Sequence, residues 1–356
     1  MSGRAHHVPI GAGLSARHPL LVAVLAVLLL HVVGFGLLLA VVAPAGLHLG
    51  SGAAFGIGAG LTAYTLGMRH AFDADHIAAI DNTTRKLLHD GTRPHATGFF
   101  FSAGHSTVVF ALTLLVALGV RGVGAAVSDD ASTVHRVTAV WGPTVAGCFL
   151  LTIGLANLGV MRETMRLARR AGNGTIDAAD LDHRLAARGP IAALTAGLAR
   201  RITRPWQMYP LGLLFGLGFD TASEVALLVL AGGSAAGGLP IAAILCLPIL
   251  FAAGMTLLDT INGAATARAY AWASAAPARR VAYNLAVTGV SVLFALVIGA
   301  TSLLGVAARE LNVTGGPLAA IGSVDTSSLG YVLLAVVLTT GSAAALWARA
   351  VERRLA

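Results

Sequence analysis

The chain has 356 residues, of which 56% are hydrophobic and 11% charged, where a soluble domain carries about 25% charged residues. Those proportions exclude a soluble globule, and the apolar residues gather into long runs separated by short polar stretches, as in a polytopic membrane protein. The net charge of +8 comes from Arg residues between the runs rather than from a separate basic domain, which excludes a nucleic-acid binder.

In chain order the runs predict an all-α membrane domain of eight transmembrane helices, at about 20–42, 55–80, 97–120, 137–160, 208–231, 239–262, 281–305 and 329–348. The first follows Arg17 and exceeds the apolar core of a cleaved signal peptide, so it is read as retained. The second is unorthodox: apolar Ala53 to Met68 runs into Arg69-His70-Ala71-Phe72-Asp73-Ala74-Asp75-His76 before Ile77 to Ile80 close it. Pro143 and Pro248 predict kinks in the fourth and sixth helices. The connection 161–205 carries nine Arg and predicts a short helix around Asp177 to Arg188, then an amphipathic surface segment, Ile191 to Ile202. Twenty of the 24 Lys and Arg fall at the two termini and in the connections after the second, fourth and sixth helices. Both termini are therefore expected to be cytoplasmic, in a plasma membrane of the bacterial inner-membrane type.

Charged groups within spans are costly and mark a pathway or site. They concentrate in four helices: Arg69, His70, Asp73, Asp75 and His76 in the second, His105 in the third, Asp220 and Glu224 in the fifth, Asp259 in the sixth. A regular helix puts His70, Asp73 and His76 within about 120° of one another but Asp75 about 100° beyond His76, so either the helix opens locally or Asp75 serves a neighbour. Asp73 has two readings, a pair with Arg69 four residues earlier or a ligand role. Asp220 and Glu224 share a face and need a cation or a proton between them. Asp259 shares a face with Met255 and Asn262, with snorkelling toward the membrane surface as its alternative. His105 stands between Gly104, which admits a close neighbour, and Ser106. His31 reads as a structural hydrogen-bonding residue.

Five intramembrane carboxylates against one Arg leave four uncompensated negative charges, which hydrocarbon does not tolerate. A divalent cation offsets two of them and competes with protons for its ligands. Imidazole and carboxylate without thiolate suit Ni, Co, Zn or Mn better than Cu(I) or alkali ions, and Cys148 and Cys246 both lie in apolar runs without a CxxC. A Walker A sequence and an HExxH pair are both absent, so neither ATP hydrolysis nor a zinc hydrolase is read here, and no cofactor is expected beyond the ion as substrate.

The motifs resemble the nickel/cobalt transporter (NiCoT) family of secondary permeases. His70, Asp75 and His76 match its H-x4-D-H signature; Phe101 to Val109 resembles its third-helix motif, Leu217 to Glu224 its LGxDTAxE motif with Thr221, and Gly254 to Thr260 its GMxxxDT motif. One departure is Asn262, where the family commonly has Asp. The resemblance implies high-affinity uptake of Ni2+, Co2+ or both, with His70, Asp75 and His76 essential. The site expected is thus His70, Asp73, Asp75, His76, His105, Asp220, Glu224 and Asp259, supported by Arg69, Ser106, Thr221, Met255 and Asn262. The partners expected are a divalent ion and the lipid bilayer, with neither nucleotide nor nucleic acid; the alternative reading is a metal-sensing receptor or the membrane subunit of a larger transporter.

Overall fold

A computed structural model describes residues 18–49, 52–118, 133–172, 202–218, 222–274, 284–313, 315–322, 324, 329–333, 335, 336, 339 and 343. The helices are α1 (His18–Leu37, extended by a π-helical turn Leu38–Val42), α2 (Ile57–His70), α3 (Ala74–His89), α4 (Thr97–Ala117), α5 (Thr133–Gly172), α6 (Met208–Gly216), α7 (Ala222–Ala236), α8 (Ile241–Ser274), α9 (Gly289–Glu310, entered by a π-helical turn Asn284–Thr288) and α10 (Gly316–Gly322). Two two-residue antiparallel strands, Leu47–His48 and Ala54–Phe55, link α1 to α2. The described residues otherwise hold only helices and their connections, and five helices among them are long and apolar enough to cross a membrane: 19–42, 97–117, 136–159, 241–272 and 286–310.

Four expected spans have markedly different bounds. The second is two helices, and its second half continues nine residues past Ile80, to His89. The fifth is interrupted after Gly216, where α6 ends, and resumes at Ala222. The fourth and sixth are longer than expected, at 40 and 34 residues, with Pro143 and Pro248 inside unbroken helix. Asp220, Thr221, the predicted helix 177–188 and nearly all of the surface segment 191–202 lie outside the described residues.

The break in the second span has a local cause. Phe72 N and Asp73 N bond to carbonyls three residues back, Arg69 O at 3.0 Å and His70 O at 2.9 Å. Asp73 then adopts an extended conformation (φ −62°, ψ 140°) as the residue preceding α3, the position where Asp is favoured. The α2 end is closed by Gly330, whose backbone approaches the Phe72 carbonyl so closely that a Cβ would collide with it, while Tyr331 stacks on Phe72 with ring centroids 5.1 Å apart.

α8 is the spine, packed against α1, α2, α3 and α4. Glycines let the backbones meet: a Cβ on Gly67 would strike the Phe251 carbonyl, one on Gly254 the Tyr64 carbonyl, and one on Gly98 the carbonyl of Asp259. The α4–α6 pair is equally close, through Gly104 against Tyr209 and Gly212 against Phe101. Such small-residue contacts are the usual means of association where lipid removes the hydrophobic drive between helices. Two apolar clusters result. One joins Ile77–Ile80 of α3 with Phe101, Phe149, Met208, Phe215 and Ile298, and the other joins Leu38, Ala63, Val109, Leu227, Leu247 and Phe251.

Candidate metal centre

Between the two apolar clusters lies a buried polar centre. His70, at the last residue of α2, directs Nε2 toward His105 Nε2 of α4 at 3.0 Å, and His105 Nε2 lies 2.6 Å from Glu224 Oε1 of α7. Glu224 Oε1 is 3.8 Å from His70 Nε2. Two ligand nitrogens bound at right angles to one first-row ion, each at 2.0–2.1 Å, are about 3.0 Å apart. The three atoms therefore already stand at mutual distances that one ion can span.

The other nitrogen of His70 is fixed from two sides. Ser223 Oγ lies 3.2 Å from Nδ1 in hydrogen-bonding geometry, and Asp73 Oδ2 lies 2.8 Å from it, off the N–H direction. Oxygens around Nδ1 place the ring proton there, which leaves the Nε2 lone pair facing His105 and Glu224. Just beyond the helix break, the Asp73 carbonyl accepts from Ile77 N at 3.2 Å, which leaves its side chain for His70, and the backbone N–H of His76 is taken by Asp75 Oδ1 at 2.9 Å.

His76, in the first turn of α3, completes a group of three histidines whose nitrogens lie within 4.8 Å of one another. Its Nδ1 is 3.4 Å from Asp259 Oδ2. His76 Nε2, His105 Nδ1 and Asp259 Oδ1 are buried and meet no hydrogen-bond partner, an arrangement that buried polar groups avoid unless a ligand or water completes it. The Phe101 ring packs edge-on against His76 at 4.8 Å and the Phe251 ring against His70 at 5.6 Å, closing the centre to lipid.

Of the residues expected from sequence, the structure brings together His70, Asp73, His76, His105, Glu224 and Asp259. Asp259 is fully buried and does not snorkel, because α8 continues 15 residues beyond it. Asp73 pairs with His70, while Arg69 is exposed. Asp75 is half-buried and its recorded bond is to backbone. Met255 is buried in the apolar cluster of α8, Ser106 Oγ and Asn262 Nδ2 are buried without hydrogen-bond partners, and Asp220 and Thr221 are outside the described residues. His31 hydrogen-bonds the Val27 carbonyl at 2.8 Å and the Tyr64 hydroxyl at 3.2 Å. Sequence reading missed Ser223, which stands beside Glu224, and the buried polar run 81–85 of α3.

Comparison with known proteins agrees with this geometry. The family model described as NicO, high-affinity nickel-transport protein, matches residues 56–346. The nickel transporter NicT of Mycobacterium tuberculosis is 51% identical over 317 residues, covering 89% of this chain and 85% of that protein. The cobalt transport protein NhlF of Rhodococcus rhodochrous is 40% identical over 348 residues, 96% of each chain. The high-affinity nickel-transport protein NixA of Helicobacter pylori strain 26695 is 38% identical over 316 residues, 87% of this chain and 91% of that protein. No solved structure matches. A buried His–His–Glu convergence in a multi-pass helical chain, with relatives of this similarity over most of its length, means that the chain belongs to the high-affinity nickel-transport protein family.

Proposed function

We propose that this chain is a secondary transporter that takes up Ni2+, Co2+ or both across the plasma membrane. The observation that carries the reading is the convergence of His70 Nε2, His105 Nε2 and Glu224 Oε1 at 2.6–3.8 Å in the membrane interior. The relatives named as nickel and cobalt transporters support the choice of metal. His70, His105 and Glu224 are the first ligands, and His76 with Asp259 supplies a nitrogen and an oxygen beside them. Asp73 and Ser223 orient His70, Asp75 holds the backbone N–H of His76 in the first turn of α3, and Asp220 adds a further carboxylate.

The eight crossings are the five long helices, the pairs α2–α3 and α6–α7 each counted as one broken span, and the expected last span, 329–348. The excess of Arg and Lys on one side puts both termini in the cytoplasm. A site assembled where two spans are interrupted suits alternating exposure to the two faces. Uptake is driven by the membrane potential or the proton gradient, since inward movement of a dication is favoured by an interior-negative potential.

Radiotracer uptake of submicromolar Ni2+ and Co2+ in cells expressing the wild type, each competed against the other and against Zn2+ and Mn2+, tests the reading. Saturable accumulation of either ion supports it. Absence of accumulation with confirmed membrane insertion sinks it, in favour of a sensor or a subunit of a larger transporter.

A further inference from the structure

Past His76, α3 runs through the buried apolar residues Ile77 to Ile80 and then into Asp81-Asn82-Thr83-Thr84-Arg85, five polar residues that are all buried. Arg85 grips Asp81 with two prongs, Nε to Oδ2 at 2.9 Å and Nη2 to Oδ1 at 3.0 Å, and each residue is only 4% exposed. The Thr266 hydroxyl of α8 donates to the same carboxylate at 3.1 Å. Asn82 is committed differently: its amide donates to the carbonyls of Ala78 and Ser291, and it accepts twice from Asn157 of α5.

The hydroxyls of Thr83 and Thr84 stand apart. Buried Ser and Thr on neighbouring helices return their hydroxyls to the carbonyl four residues back, as Ser102, Thr113, Thr256, Thr260 and Ser291 do. Thr83 and Thr84 are fully buried and their hydroxyls meet no hydrogen-bond partner. A buried unsatisfied hydroxyl costs free energy. Thr83 points to the side of α3 away from Asp81, whereas Thr84, three residues after Asp81, shares its face and leaves an unpartnered oxygen on the side of the carboxylate.

α8 repeats the pattern. Asp259 and Thr266 are seven residues apart, hence on one face; Asp259 meets His76 and Thr266 meets Asp81. The same two helices are thus joined at the centre and again about two turns further on.

We propose that Asp81, with the hydroxyls of Thr84 and Thr266, is a second and transient oxygen station for the divalent ion on its way to the cytoplasm, occupied between passages by the tethered Arg85 guanidinium. The inference rests on the permease reading. Oxygen ligands hold a first-row dication less tightly than imidazole, so the station accepts an ion from the centre and lets it go. A buried carboxylate left empty is unfavourable, and a guanidinium on the same helix fills it without leaving the molecule. While seated, the guanidinium occupies the carboxylate that an ion arriving from the cytosol would need, and so opposes back-flow.

The test measures equilibrium 63Ni2+ binding by the purified full chain and 63Ni2+ uptake by cells, for the wild type and Asp81→Asn/Arg85→Gln, which removes both charges together. Expected are binding within about threefold of wild type, as for separated sites, and uptake slowed about tenfold or more. Wild-type uptake overturns the proposal. If the double variant loses binding and uptake together, Thr266→Val decides, since it removes only the hydroxyl from α8: binding kept with uptake slowed a few-fold supports the station, and unchanged uptake overturns it. A wild type that binds neither Ni2+ nor Co2+ overturns the permease reading itself, and the station with it.

Discussion

α1 and α3 are opposites. α1 presents Leu21, Val22, Leu25, Leu28, Leu29 and Val32 outward, each at least half exposed by area, and its polar His31 turns inward to Tyr64. α3 buries every residue from Ala74 to Arg85 except Asp75, although half of them are polar. The most apolar helix is therefore peripheral and one of the most polar is central. Lipid accepts an aliphatic surface at no cost, while charged and hydroxyl groups need partners that only other helices supply.

That contrast can be broken by substitution. The largest effect is expected for His70→Ala: loss of Ni2+ uptake by about a hundredfold or more, with the protein still in the membrane, because the ring joins the α4 and α7 ligands. Retained uptake in that variant would remove the centre from the mechanism. Gly98→Ala forces a methyl into the Asp259 carbonyl and is expected to cost about 1–3 kcal/mol, seen as a lower thermal midpoint in detergent, with metal binding lowered alongside. Ser223→Ala, which removes one of the two oxygens beside His70 Nδ1, is expected to weaken Ni2+ affinity about tenfold, and Ser223→Thr to restore it; equal affinities in all three proteins would deny the serine an orienting role. Asn157→Ala strips two hydrogen bonds from Asn82 and should destabilise by about 1 kcal/mol in denaturant or thermal unfolding. Leu28→Ala on the lipid face of α1 should stay within about 0.5 kcal/mol of wild type.

Much of the centre was legible because the chemistry forbids its residue types elsewhere: a histidine or carboxylate in a span needs a reason. His70, His105 and Glu224 could be named from the sequence on that ground. Their meeting at one point could not be derived by periodicity, since His105 and Glu224 are separated by 119 residues. The break at Phe72–Asp73 was indicated by the impossibility of aiming His70, Asp73, Asp75 and His76 the same way on one regular helix. The run 81–85 was misread because hydropathy falls after Ile80, and Arg85 was counted with the exposed cations that orient a membrane protein. The available signal was its four-residue spacing from Asp81, which lets a buried pair neutralise itself. Asp259 looked close to a helix end only while α8 was drawn to residue 262.

α8 has 34 residues, a length of about 51 Å at 1.5 Å per residue, against a hydrocarbon core of about 30 Å. About four turns of it therefore stand clear of the acyl chains. A rod held near its middle and protruding into water is a lever, with Asp259 and Thr266 both fixed to its shaft. A soluble molecule that pushes the projecting end, such as an antibody fragment raised against it, would act on the ion's surroundings without ever entering the lipid.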